Sequence, residues 1–356
     1  MIGRMTYQQP AQPSPADQAP TGMKRLVPGL GVCLAAAGAA YGINLLLPGI
    51  SPLIIAIVAG MFVTNVLRLP EITSPGVDFS AKKLLRAGII FLGLQLSLTN
   101  IAGLGAPMLL VVVCIVAGGL LGTLLLGRLL RVPPNLSLLV ACGFSICGAA
   151  AVAGAAGVTD PDDRAEEDTI TAVALVVIFG TSMILLVPLL VSLFGLDVVT
   201  AGKWAGGSTH EIAQVVAIGG VIGGGALAVA VVVKLARVLL LAPVIAVLSI
   251  RQRHLQRATD APGQQTSRSK LPPIVPPFIL GFLAMVLLRS FIPLPKTVLD
   301  AGSALQTVLL AAAMFALGCG VRIRSLLKVG IRPFGLAALS TLLVAAIAFL
   351  GILLVN

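Results

Sequence analysis

Residues 206–220 read GGSTHEIAQVVAIGG, and residues 142–157 read CGFSICGAAAVAGAAG. Both stretches lie inside apolar sequence. Both place Gly-x-Ser ahead of a run of small residues, Gly143 with Ser145 and Gly206 with Ser208. Glycine costs a helix about 1 kcal/mol relative to alanine. Clustered glycines beside a hydroxyl are therefore suited to interrupt a membrane helix. A break exposes N–H groups at one half-helix start, which attract an anion, and carbonyls at the other half's end, which attract a cation. The plainer reading is that small residues permit close helix packing.

The surrounding composition sets the class. The 356-residue chain is 58% hydrophobic and 10% charged, against about 25% charged in soluble domains. Its mean hydropathy is +1.06. Runs long enough to cross a hydrocarbon core of about 30 Å recur along the chain. The expectation is an all-α polytopic membrane protein with about eleven transmembrane helices. They fall near 27–46, 51–67, 84–99, 106–127, 134–157, 169–194, 200–220, 225–250, 276–292, 299–320 and 333–355. A Pro-, Gln- and Ala-rich tail at 1–23 reads as disordered, and residues 251–275 as a flexible linker.

The net charge of +11 does not point to nucleic acid. Its basic residues sit in alternate short loops. Lys24 and Arg25 precede the first span, Arg68, Lys82, Lys83 and Arg86 follow the second, and Arg128 and Arg131 the fourth. Lys203, the Arg251–Lys270 group and Arg322, Arg324 and Lys328 continue the series, with Arg164 and Lys296 as exceptions. The positive-inside rule then puts the N-terminus in the cytoplasm and the C-terminus outside. The five cysteines, Cys33, Cys114, Cys142, Cys147 and Cys319, fit no zinc spacing and no disulfide framework.

A weak internal repeat is visible. SPLIIAIVAGMFVTNVLRLP from Ser51 matches VPPFILGFLAMVLLRSFIPLP from Val275, FLGLQL at Phe91 matches FALGCG at Phe315, and Pro107 pairs with Pro333. Units of about 51–127 and 275–356 are separated by an odd number of spans. They would run in opposite directions, the inverted repeat of many secondary transporters. The broken helices at 134–157 and 200–220 do not fit this scheme as full spans, because they would run the same way. They become inverted copies only if re-entrant.

Around the second break, Ser208, Thr209, His210 and Glu211 are consecutive, and His210 and Gln214 are i, i+4. Intramembrane ionisable groups usually face a bundle interior or a watery cavity. Ion coordination, proton coupling or substrate binding would follow. The plainer reading is an interfacial capping box with Ser208 or Thr209 as N-cap. Lys234 and Arg237, i and i+3 near mid-span, read as counter-charges for an anionic substrate or as partners of Glu211. The acidic run Asp160, Asp162, Asp163, Glu166, Glu167 and Asp168 reads as a solvated extracytoplasmic loop. The sharper reading turns Glu167 and Asp168 towards the breaks. No Walker, metal-ligand or nucleophile motif is present, so no enzymatic activity and no resident cofactor are expected.

At Cys142–Ala151, Glu166–Thr169, Trp204–Val216 and Val233–Arg237 the chain resembles the YeiH family of bacterial membrane proteins. That family is labelled as sulfate exporters and grouped with bile-acid-type transporters. The resemblance implies inverted repeats with two broken, crossing helices. The chain departs from the family in its longer Pro/Gln-rich N-terminus and in Gly206-Gly207 beside Trp204.

The combined expectation is a multi-pass inner-membrane secondary transporter of a small anion, sulfate or sulfonate-like, working by alternating access and coupled to Na+ or H+. A cation/proton antiporter or ion channel is the alternative. The candidate site comprises Ser145, Cys147, Ser208, Thr209, His210, Glu211, Gln214, Lys234, Arg237, Glu167 and Asp168. The lipid bilayer and a homodimer mate are the other expected partners.

Overall fold

The computed structural model describes residues 25–46, 51–67, 69–160, 165–259, 277–320 and 330–355. The tail 1–23, Asp162, Asp163, Arg164, the linker from residue 260 to 275, and Arg322, Arg324 and Lys328 lie outside them. The described residues contain helices and no strands. Among the described residues, six helical segments are long and apolar enough to cross a membrane: Val27–Leu46, Ala106–Leu129, Glu166–Phe194, Ala226–Leu255, Lys296–Gly320 and Ile331–Val355. Shorter apolar helices stand between them.

In chain order these are α1 (Val27–Leu46), α2 (Pro52–Phe62, extended by a π turn to Leu67), α3 (Ser74–Phe79), α4 (Leu85–Leu92) and α5 (Leu98–Ala102). There follow α6 (Ala106–Leu129), α7 (Pro134–Ser145), α8 (Ala149–Thr159), α9 (Glu166–Phe194), α10 (Val198–Ser208) and α11 (Ile212–Ile222). The chain continues with α12 (Ala226–Leu239), α13 (Leu241–Thr259), α14 (Pro277–Phe291), α15 (Lys296–Gly320) and α16 (Ile331–Val355).

Local sequence explains the starts. Ser51 caps α2 by accepting from Leu53 N at 3.2 Å, with Pro52 behind it. Asp197 caps α10, accepting from Val199 N and Thr200 N. Two expectations shift. The third predicted span begins earlier, at Ser74, because α3 and α4 join through a π turn at Ser80–Leu84. Residues 251–259, expected as linker, continue α13; Arg, Gln and Leu there are good helix formers.

The two Gly-Ser stretches are interrupted as expected, but neither half-pair crosses the molecule. Asn135 at the start of α7 and Thr159 at the end of α8 line one 350 Å³ cavity together with Arg128 and Arg251. Val198 at the start of α10 lies against Gly224, just past α11. Each pair is therefore a hairpin that enters and leaves at one face. The faces are opposite, since α9 leads from the Arg128–Arg251 face, where Asp168 meets Asn135, to the α10 start. Of the two readings open for 134–157 and 200–220, full span or re-entrant, the packing fits the re-entrant one. An 11-residue helix rises only about 16 Å, half a hydrocarbon core.

Glycine permits the tightest helix contacts. Gly60 lies under the Phe315 carbonyl and Gly318 under that of Ile57, joining α2 to α15. Gly93 lies under the Phe282 carbonyl, joining α4 to α14. Helix α6 packs along α16 and along α7, and α10 packs on α12 and α16.

Candidate functional site at the hairpin crossing

The two hairpin tips meet. Helix α7 ends at Ser145 and α10 at Ser208, where the Ser208 hydroxyl turns back to the Trp204 carbonyl at 2.7 Å. The last carbonyls of both half-helices have no partners within their own helices. Arg237 and Lys234 of α12 supply them. Arg237 Nη1 donates to Gly206, Gly207 and Thr209 carbonyls at 3.2, 2.7 and 2.8 Å. Its Nη2 donates to Phe144 and Ser145 carbonyls at 2.9 and 2.8 Å, and its Nε to Ser145 at 3.1 Å. Lys234 Nζ donates to Ile146 and Thr209 carbonyls at 2.7 and 2.8 Å. Both cations are fully buried.

Beside the counter-charge role expected for them, they have a structural one. Both cations join the negative ends of two half-helices. Sequence could not reveal it, because backbone acceptors carry no residue signature.

Glu211 works at the opposite helix ends. It is the N-cap of α11, and its backbone N–H donates to Gln214 Oε1 at 3.1 Å in a capping box. The cap is Glu211 itself rather than Ser208 or Thr209, with Gln214 in the third position. Glu211 Oε1 also accepts from Ala149 N, the first residue of α8, at 3.1 Å. One carboxylate thus serves two helix N-termini. Gly148 caps α8 at φ +73°, and any Cβ there would strike the Glu211 side chain. Glycine is required on both counts.

His210 bridges the tips to α16. Its Nδ1 lies 3.2 Å from the Phe144 carbonyl and its Nε2 3.1 Å from Thr341 Oγ1. A carbonyl only accepts, so Nδ1 carries the hydrogen. The ring centroids of His210 and Phe144 are 4.4 Å apart. Three buried polar atoms at the crossing, Ser145 Oγ, Thr209 Oγ1 and Gln214 Nε2, have no hydrogen-bond partner among the described residues.

A cavity of about 1000 Å³ reaches the tips from the face opposite Arg128 and Arg251. Cys147, Ala150, Glu211 and Ala213 line its floor, and Asn44, Gln95, Asp300 and Thr307 its walls. Sequence reasoning passed over Asn44, Gln95 and Asp300, and also Thr341. The run KTVLDAGSALQT, unusually polar for a span, was the signal for Asp300.

Of the expected site residues, nine meet here: Ser145, Cys147, Ser208, Thr209, His210, Glu211, Gln214, Lys234 and Arg237. Two do not. Glu167 is exposed, and Asp168 accepts from Asn135 Nδ2 at 2.9 Å at the far end of α7. They belong to the Arg128–Arg251 face, since α8 returns the chain there. The acidic run, expected outside, therefore starts and ends on the basic face.

The comparisons bear on kinship. A family profile described as conserved hypothetical protein 698 matches residues 28–337. The chain is 58% identical to a UPF0324 membrane protein of Corynebacterium glutamicum, covering 96% of each chain. It is 36% identical to one of Agrobacterium fabrum over 92% of this chain and 93% of that one. For one of Pseudomonas aeruginosa the identity is 39%, over 89% and 91%. No solved structure matches. Coverage of this extent at this identity, agreeing with the YeiH resemblance in the motifs, leaves one conclusion: the chain belongs to the UPF0324 family of membrane proteins.

Proposed function

We propose that the protein is a secondary transporter of a small anion, working by alternating access across the hairpin crossing. The observation that carries this is the crossing itself, at the floor of a cavity open to one face. The two negative and two positive helix ends, each about half an elementary charge, offset one another. With Lys234 and Arg237 charged and Glu211 ionised, these three side chains leave an excess of one positive charge. Protonation of Glu211 raises that excess and vacates the α8 N-terminus as an anion seat. The substrate is then a small oxyanion such as sulfate, with H+ as the coupling ion. Ser145, Thr209 and Gln214, whose buried polar atoms are unpartnered, supply further hydrogen bonds.

The alternating-access reading rests on an inverted repeat. Gly93 meets the Phe282 carbonyl while Gly318 meets that of Ile57, and both members of the second pair lie 225 residues from those of the first. Helices α8 and α11 begin and end 63 residues apart. The hairpin α7–α8 with α9 then repeats as α10–α11 with α12, and α2, α4 and α6 repeat as α14, α15 and α16. This gives nine crossings and two hairpins in place of eleven spans. The basic face is the cytoplasmic one by the positive-inside rule, and the membrane is the bacterial inner membrane. The large cavity then opens outward, with the N-terminus inside.

The test is purified protein in liposomes loaded with labelled sulfate. Flux should be driven by a proton gradient in the unaltered protein. In Glu211→Gln, sulfate–sulfate exchange should persist and proton-driven accumulation should vanish. No sulfate or sulfonate flux under any gradient would overturn the anion assignment. A second reading, cation/proton exchange, is favoured by the cavity lining, which among the described residues carries Glu211 and Asp300 and neither Lys nor Arg. It predicts proton movement on adding Na+ or K+ with no permeant anion present.

A further inference from the structure

Arg86, on α4 near the basic face, is used by nothing described so far. Its guanidinium stacks 5.8 Å from the Phe278 ring of α14. Its Nη2 approaches Gly157 of α8, where an added Cβ would lie 2.8 Å from it. Three helices are thus bridged by one side chain.

Resting on the inverted-repeat transporter reading, the repeat offsets give these residues counterparts. Phe278 falls on Leu53 and Gly157 on Gly220, both lining the large cavity on the opposite face. Arg86 falls on Ala311, adjacent to the lining residue Leu310. Where one copy of the fold has a methyl group and an open cavity, the other has a guanidinium wedged between an aromatic ring and a glycine. Glycine at 157 leaves the space that the guanidinium fills. Upstream, Lys82 falls on Thr307, which also lines the large cavity.

We propose that Arg86, seated against Phe278 and Gly157, plugs the second, closed vestibule of the transporter and is a cation that an entering small anion meets there. Withdrawal of the plug mirrors the cavity onto the basic face. Ala150 and Ala213 are counterparts and both line the present cavity, so position 150 faces the open vestibule in either state. An anion that engages the guanidinium competes with its seat on the Phe278 ring and so favours opening.

The experiment uses Ala150→Cys in a variant with the five native cysteines replaced by alanine, in sealed vesicles of both orientations. A membrane-impermeant thiol reagent should label Cys at 150 from the large-cavity face. Adding Arg86→Ala should raise labelling from the basic face about tenfold, the effect of ~1.4 kcal/mol on a two-state equilibrium. Gly157→Ala, which displaces only the end of a flexible side chain, should act in the same direction and carries the test if Arg86→Ala fails to fold. Sulfate should raise the thermal midpoint of the unaltered protein and do so less in Arg86→Ala. Unchanged basic-face labelling in Gly157→Ala and any folded Arg86→Ala overturns the plug. An equal sulfate response in a folded Arg86→Ala overturns the anion contact. A labelling switch without flux of any ion would instead overturn the transport reading and leave the plug standing.

Discussion

Arg237 makes six hydrogen bonds to five backbone carbonyls drawn from both hairpin tips. A planar fork with five donors can do this; a lysine ammonium has three donors at one point. Arg237→Lys should therefore lower stability by about 3 kcal/mol or more, the scale for breaking a buried charged network. Thermal unfolding in detergent would register it, and a midpoint within 2–3 °C of the unaltered protein would contradict the assignment. Gly148→Ala should also destabilise, by about 1–3 kcal/mol from the left-handed backbone, with a further cost because the methyl group strikes Glu211. If Glu211→Ala relieved part of that loss in the double variant, the contact would be confirmed as its cause. Lys234 and Arg237 were visible in sequence as oddities of a span. Their purpose was not, because it is set by carbonyls 25 to 93 positions away.

At the scale of elements, the hairpins carry the functional argument. Cysteines placed at Asn135 and Thr159 should both react with an impermeant reagent from one side. Cysteines at Val198 and Gly224 should react from the other. Labelling of Asn135 and Thr159 from opposite sides would restore a full crossing and remove the hairpin. The positions of both breaks were legible, since Gly-x-Ser before small residues weakens a helix wherever it stands. Whether the chain continues or doubles back was not. Two half-helices of 11 or 12 residues add up to the length of one span, so hydropathy reads them alike. The acidic run was misplaced for the same reason: one unrecognised reversal moves the next loop to the other face.

For the whole molecule, the nine crossings proposed above would put the two termini on opposite sides, with the N-terminus on the side of Arg128 and Arg251. Reporter fusions at each end, one active inside and one outside the cell, would check this; termini on one side would refute the crossing count. Composition and hydrophobic periodicity by themselves determined that this is an all-helical membrane protein, and local glycine and serine placement determined where two helices break. Those are properties of short windows of chain, set by transfer free energy and backbone freedom. Only the tertiary structure decided that the breaks are hairpin tips meeting from opposite faces, that buried cations hold helix ends and that Glu211 spans two N-termini. Each of those depends on charges and dipoles that are far apart in sequence and come close only when the helices pack.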